Sequence, residues 1–228
     1  MKYIVWIFII LMSLTSCGIG SDKQVDTEFL TGAYVSEFHE LDLAGRELTQ
    51  VPDFEKYLTG SYIYDVWSIN LQRNNIKKID SKVFAFFPNL KEVNLSYNKI
   101  EKITLADLPI EKLLIHKNEI ESADIEGLES LKEVNIWYNE LESSKDIKLP
   151  TSLESLELQH NKLEDISWVE KLTELNKIKL EFNELEDTDM VVLKDLKKLK
   201  FISVGKNKLS EDLEKGFINF NEVMSEKQ

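Results

Sequence analysis

Residues 90–100 read Leu90-Lys91-Glu92-Val93-Asn94-Leu95-Ser96-Tyr97-Asn98-Lys99-Ile100, and the frame they define recurs along most of the chain. Written out, it is apolar-x-x-apolar-x-apolar-x-x-Asn-x-apolar. It returns at Val66-Ile69-Leu71-Asn74-Ile76, Ile110-Leu113-Ile115-Asn118-Ile120 and Leu131-Val134-Ile136-Asn139-Leu141. Later copies are Leu153-Leu156-Leu158-Asn161-Leu163, Leu175-Ile178-Leu180-Asn183-Leu185 and Leu199-Ile202-Val204-Asn207-Leu209. An imperfect first copy, Phe38-Leu41-Leu43-Arg46-Leu48, brings the total to eight, of which seven carry the Asn. Successive landmark positions from 46 onward lie 28, 24, 20, 21, 22, 22 and 24 residues apart. The x-apolar-x-apolar-x centre alternates as a short strand burying one face, and the Asn amide suits the unpaired backbone where the chain turns out of that strand. Stacking such copies pairs the strands in parallel and closes one continuous core.

Over residues 38–213 the chain resembles the leucine-rich-repeat family, and its 20–24-residue copies are similar to the short bacterial, internalin-type repeats. That resemblance implies an α/β repeat solenoid: a horseshoe with a concave parallel β-sheet of about eight short strands. Copies this short leave room on the convex side for extended or 3₁₀ segments, with helices expected only in the longer units, over Asp53–Leu58 and Asp189–Leu196. The run Phe84-Ala85-Phe86-Phe87-Pro88-Asn89-Leu90 should put its aromatics into the core between the second and third strands. Leu213, Phe217, Phe220 and Met224, at spacings of 4, 3 and 4, form one face of a helix that would cap the open end of the core. Phe29–Val35 is a less clear cap at the other end.

The expected organisation is therefore a signal segment over 1–16, a lipidated Cys, tether and N-terminal cap over 17–37, repeats over 38–209, and a capping helix over 210–228. Residues Tyr3 to Met12 are apolar throughout and follow Lys2, which reads as a secretory signal too short to span a bilayer. Leu14-Thr15-Ser16-Cys17-Gly18 resembles the lipobox of bacterial lipoproteins, and Cys17, the only cysteine, stands where diacylglyceride would be attached. The resemblance implies a lipid-anchored protein of the bacterial envelope, at the outer membrane or cell surface in preference to the inner membrane. With 41 acidic and 28 basic residues the formal charge is −13, which disfavours a nucleic-acid partner. One cysteine builds neither an internal disulfide nor a Cys-based zinc site.

Candidate binding residues follow from the register, since stacked copies place equivalent positions in rows about 4.8 Å apart. The residue before the Asn gives Arg73, Tyr97, Lys117, Tyr138, His160, Phe182 and Lys206; the one before that gives Gln72, Ser96, His116, Trp137, Gln159, Glu181 and Gly205. Tyr97, His116, Trp137, Tyr138, His160 and Phe182 thus gather in the third to seventh copies as a concave ligand-binding patch, because exposed Trp and Tyr on a rigid surface are what interfaces use as anchors. Tyr or Phe before the Asn is also a structural filler in such repeats, so Trp137 carries the binding reading best. A second row, Glu101, Glu121, Glu142, Glu164 and Glu186 with Asp165 and Asp187, reads as a solvated acidic edge in preference to a Ca²⁺ or basic-partner site, since no loop supplies the further oxygen ligands. The histidines are His39, His116 and His160, and no nucleophile elbow, zinc-binding helix or phosphate loop is present. No catalytic residue, metal or cofactor is expected. A monomer that binds a protein, or a glycan, through its concave face is the expectation; a periplasm-facing scaffold for envelope proteins is the alternative.

Overall fold

The structure, a computed structural model, describes residues 27–58 and 61–225; the signal segment, the lipobox and Cys17 lie outside the described residues. In chain order the elements are α1 (Thr27–Thr31), β1 (Tyr34–Val35), β2 (Glu40–Asp42), α2 (Phe54–Tyr57), β3 (Ser68–Asn70) and β4 (Glu92–Asn94). There follow β5 (Lys102–Thr104), β6 (Lys112–Leu114), β7 (Ser122–Asp124), β8 (Glu133–Asn135), β9 (Ile147–Lys148), β10 (Ser155–Glu157), β11 (Lys177–Lys179), β12 (Phe201–Ser203) and α3 (Glu211–Ser225). One strand from each copy enters a single sheet in the order β1-β2-β3-β4-β6-β8-β10-β11-β12. Its register carries no slip: Leu41, Ile69, Val93, Leu113, Val134, Leu156, Ile178 and Ile202 face one another in one row. Every member of that row is buried, so a shift of one residue would turn the whole apolar set to solvent.

The eight parallel strands match the eight copies, and the sheet has a ninth because Tyr34–Val35 adds antiparallel to β2. With Leu30 of α1 fully buried, this segment covers the first copy's open edge. The convex side is less irregular than expected. In the third to fifth copies β5, β7 and β9 form a second, three-stranded parallel sheet. Elsewhere 3₁₀ turns occupy Ser61–Asp65, Ser81–Val83, Ser144–Asp146, Ser167–Lys171 and Asp189–Asp195. The last of these corrects the expected helix at Asp189–Leu196. It closes with i→i+3 bonds such as Leu196 N–H to Leu193 O (3.3 Å), and β-branched Val191 and Val192 lower its helical propensity. The Asp53–Leu58 helix does form: Asp53 accepts from Lys56 N–H at 3.2 Å and Leu58 N–H closes on Phe54 O at 2.8 Å.

The wide early copies need bulk, which phenylalanine supplies. Phe54, Phe84 and Phe87 are fully buried, and Phe54 meets Phe87 edge-on at 5.0 Å. Phe86 remains partly exposed, packed edge-on against Phe87. At the far end, Leu213, Phe217 and Phe220 of α3 pack on the core, leaving an apolar cavity of about 590 Å³ against Met190, Leu196 and Leu199. A terminal strand also exposes unpaired backbone. Asn221 of α3 answers this by accepting from Ile202 N–H at 2.9 Å and donating to Ile202 O at 2.5 Å, as a further strand would.

The asparagines hold adjacent copies together. Asn118 accepts from Ile100 N–H of the preceding copy at 3.1 Å, while its amide donates to Leu95 O of that copy and Ile115 O of its own, both at 3.0 Å. Asn98, Asn139, Asn161, Asn183 and Asn207 repeat this triad. Asn74 reaches back to the first copy, accepting from Arg46 and Leu48 N–H at 3.0 Å. Each amide points toward the copy before it. The first copy has no predecessor, which accounts for Arg46 at its landmark.

A charged network reinforces the middle of the sheet. Glu157 accepts from Lys177 (2.5 Å), Lys179 (3.0 Å) and Asn135 (3.2 Å), so three copies meet at one carboxylate. Burial pushes this carboxyl upward, and the two lysines outweigh that by hydrogen bonding and charge, holding it below its ordinary range.

Two outcomes follow. Asn118→Ala strands buried backbone at Ile100, Leu95 and Ile115 and should cost about 3 kcal/mol in urea unfolding, whereas Asn207→Ala, half-exposed in the last copy, should cost about 1 kcal/mol. Because the folded Glu157 carboxyl titrates below its unfolded value, its stabilisation is present above the unfolded value and is lost as pH falls through the folded one. The stability gap between wild type and Glu157→Gln should therefore be seen near neutral pH and shrink as pH falls through the lowered range in which the folded carboxyl titrates, as read by denaturant midpoints.

Candidate functional site

The predicted patch lies just past the strands. His116 and Lys117 follow β6, and Trp137 and Tyr138 follow β8, so simple in–out alternation does not place them. What places them is backbone handedness. Arg73, Tyr97, Lys117, Tyr138, His160, Phe182 and Lys206 all hold φ between +53° and +64°, and Gly45 takes the same position in the first copy at +64°. A left-handed conformation costs a side-chain-bearing residue about 1–2 kcal/mol. It is held here because each of these N–H groups, Lys206 apart, donates to the next copy, as Tyr97 does to His116 O (3.0 Å) and Tyr138 to Gln159 O (2.9 Å).

The left-handed turn brings two consecutive side chains onto one face, which a strand would separate. Trp137 and Tyr138 meet edge-on at 5.1 Å. From there the rings run without a break: Tyr97 on His116 (5.5 Å, edge-on), His116 stacked on Trp137 (4.6 Å), Tyr138 on His160 (3.9 Å) and His160 on Phe182 (4.1 Å). All six candidates join in one ladder. Tyr97, Tyr138 and Phe182 are exposed by 36%, 45% and 46%, so each keeps an accessible surface although its neighbours fix its position.

Reading the rows for aromatics missed Lys117. Its ammonium lies over Tyr97 (4.8 Å), Trp137 (5.2 Å) and Tyr138 (5.4 Å), and Arg73 lies over the other end of the ladder at Tyr97 (5.4 Å). The alternation of cation and ring at the position before the Asn was the available signal. His116 Nδ1 lies 2.9 Å from Ser96 Oγ. Burial lowers the His116 pKa and the Lys117 charge lowers it further, against a smaller upward pull from Glu157, so the ring is neutral at neutral pH. A second stacked pair, His39 on Trp67 at 4.4 Å, stands apart at the first copies.

Other rows are structural. Asn70, Asn94 and Asn135 each accept a backbone N–H two residues on, closing the turn that leads to the ladder. In the acidic row Glu101, Glu121, Glu142, Glu164 and Glu186 are exposed, while Asp165 accepts from Ser167 and Asp187 from Ser210. Among the described residues no group of His, Cys, Asp or Glu is arranged to hold a metal ion. Cross-copy pairs such as Lys91–Glu111 (3.0 Å) and Lys132–Glu154 (3.1 Å) are solvent-exposed and add little stability.

Comparison with known proteins agrees with this geometry. A leucine-rich-repeat family model matches residues 66–120 and a second matches 150–166. Rat and mouse osteomodulin are each 35% identical over 104 residues, covering 42% of this chain and 24% of theirs. The chain thus spans about a quarter of the length of these curated relatives. Among solved structures, internalin C2 of Listeria monocytogenes str. 4b F2365 superposes with a TM-score of 0.50 at 19% identity, covering 79% of this chain and 84% of that one. The functional domain of InlJ from Listeria monocytogenes, which includes a cysteine ladder, gives 0.53 at 20% identity over 72% of this chain and 34% of that one. The repeat frame, the unslipped parallel register and these matches make the fold a leucine-rich-repeat solenoid of the kind found in listerial internalins.

Proposed function

We propose that this chain is a binding protein that engages a protein partner through the aromatic ladder on its concave side. The observation that carries the reading is the ladder itself: six rings in unbroken contact across five copies, three of them 36–46% exposed, on a backbone hydrogen-bonded in both directions. Rings already locked by their neighbours lose little side-chain freedom on docking, and Trp and Tyr are the residues that dominate binding energy. The faces of His116 and His160 are engaged by flanking rings, and recognition is the use this arrangement supports best.

The N-terminal segment extends the proposal to location. Among the described residues no helix is long and apolar enough to cross a membrane. A lipid on Cys17 would tether the acidic body to the envelope by its acyl chains, each buried CH₂ contributing about 0.8 kcal/mol. On that basis we propose a place in the bacterial envelope, at the outer membrane or cell surface in preference to the inner membrane.

Two experiments test these readings in cells that make the protein. A photo-crosslinking benzoylphenylalanine replacing Tyr138 should yield a discrete adduct, absent when the same group replaces convex Lys145 and lost on Trp137→Ala with Phe182→Ala. Equal labelling from both positions overturns the concave site. Cys17→Ala should abolish incorporation of a palmitate analogue and move the protein out of the membrane fraction, and a variant that remains there overturns the anchor.

A further inference from the structure

The two halves of the ladder differ in charge. In the first, Lys117 supplies a cation to three rings from within the chain. In the second, a groove of about 380 Å³ runs beside the rings from Trp137 to Phe182, lined by Gln159 and Glu181 and also by Glu157 with its partner Lys179. Their polar atoms are incompletely used. Glu181 Oε1 accepts from Ser203 Oγ, but Glu181 Oε2 and Gln159 Oε1 are buried and accept no hydrogen bond among the described residues. The nearby Glu157 is already matched by Lys177 and Lys179, whereas no ion pair reaches Glu181 among the described residues. Buried acceptors left unmatched cost about 1–3 kcal/mol each.

The row of Gln159 and Glu181 ends at Gly205 in the last copy. Gly205 follows Glu181 in its row, and a Cβ placed there would lie 3.2 Å from Glu214 Oε1, so a second carboxylate reaches the same end from α3. Phe182 is the last ring, with one face on His160 and no cation over it among the described residues. Two unmatched acceptors on adjacent copies, whose strands lie about 4.8 Å apart, call for a ligand that only donates. A free aromatic face beside them calls for one that is flat and cationic. Guanidinium meets both demands, and an ammonium, being compact and strongly hydrated, meets them less well. The chain's net charge of −13 would draw such a group in.

We propose that this groove receives an arginine side chain of the protein partner, its guanidinium stacking on Phe182 and donating to Glu181 Oε2 and Gln159 Oε1 as those two side chains turn their buried oxygens toward the groove. The inference rests on the reading of the concave face as the partner site and names the chemistry of its anchor. The test titrates the purified chain with Nα-acetylarginine amide and, separately, with the isosteric but uncharged Nα-acetylcitrulline amide, following the Gln159 side-chain amide and Phe182 ring resonances by NMR. Saturable shifts are expected with arginine and none with citrulline. Glu181→Gln should weaken arginine binding by about tenfold, the loss of one charge-assisted hydrogen bond. Equal responses to the two amides, or undiminished affinity in Glu181→Gln, overturn the proposal, and the citrulline arm does so without any variant having to fold. The two readings fail separately: a persisting Tyr138 photo-adduct with no arginine response removes the anchor alone, whereas loss of copy-specific photo-adducts removes the concave site itself.

Discussion

One side-chain amide repeated seven times sets the geometry on which everything else depends. Each copy must leave its strand abruptly enough to reach the convex side within 20–28 residues, and that turn strips backbone groups of partners inside the core. Asn is long enough to reach them, has a donor end and an acceptor end, and is small enough to be buried to 5–9% exposure from Asn74 to Asn183. Because its acceptor end serves the preceding copy, the interaction that completes one turn also fixes the spacing and register of its neighbour. Asp or Gln would not serve equally: a carboxylate lacks the donor that meets two carbonyls, and an extra methylene displaces the amide.

The same turn explains how a structural motif yields a surface. Seven residues with side chains are held left-handed at the position before the Asn, a conformation that glycine adopts at lower cost. Glycine occurs there only in the first copy. Elsewhere the position carries rings and cations whose mutual stacking offsets part of the strain, and the handedness is what lets Trp137 and Tyr138 share a face. Departure from local preference at one position, sustained through the array, is the pattern expected where function and fold draw on the same residues.

How far this was legible depended on whether a feature obeys the period. The frame gave strand centres from Leu41 to Ile202 in correct register, because each is a buried residue at a fixed offset. The helix over Asp53–Leu58 was legible from the length of its unit. The extra strand at Tyr34–Val35 escaped notice because it belongs to no repeating frame, and the convex strands β5, β7 and β9 because they are two or three residues long and recur in only three copies. Asp189–Asp195 resembled a helix by length alone, and the packing width of a short copy decided for the tighter turn. Of the site, the six rings could be read from their rows. The place of Lys117 over three of them could not, since a row treats a lysine as surface, and the unmatched oxygens of Gln159 and Glu181 depend on rotamers that no spacing encodes.

Charge arrangement then separates the two faces in a way composition conceals. Much of the acidic excess lies on the row past the turn, where Glu101 to Glu186 stand exposed and repel one another into solvent. Lysines are spent differently: many bridge copies along the flanks, and Lys117 is drawn into the ladder. The concave side is therefore not uniformly acidic. It runs from a half whose rings already hold a cation to a half where Glu157 is matched by two lysines and Glu181 by no ion pair among the described residues. With the proposed arginine anchor, a surface polarised in this way would select orientation as well as identity, because a partner docked in reverse would set its own cation against Lys117 and leave Glu181 without one.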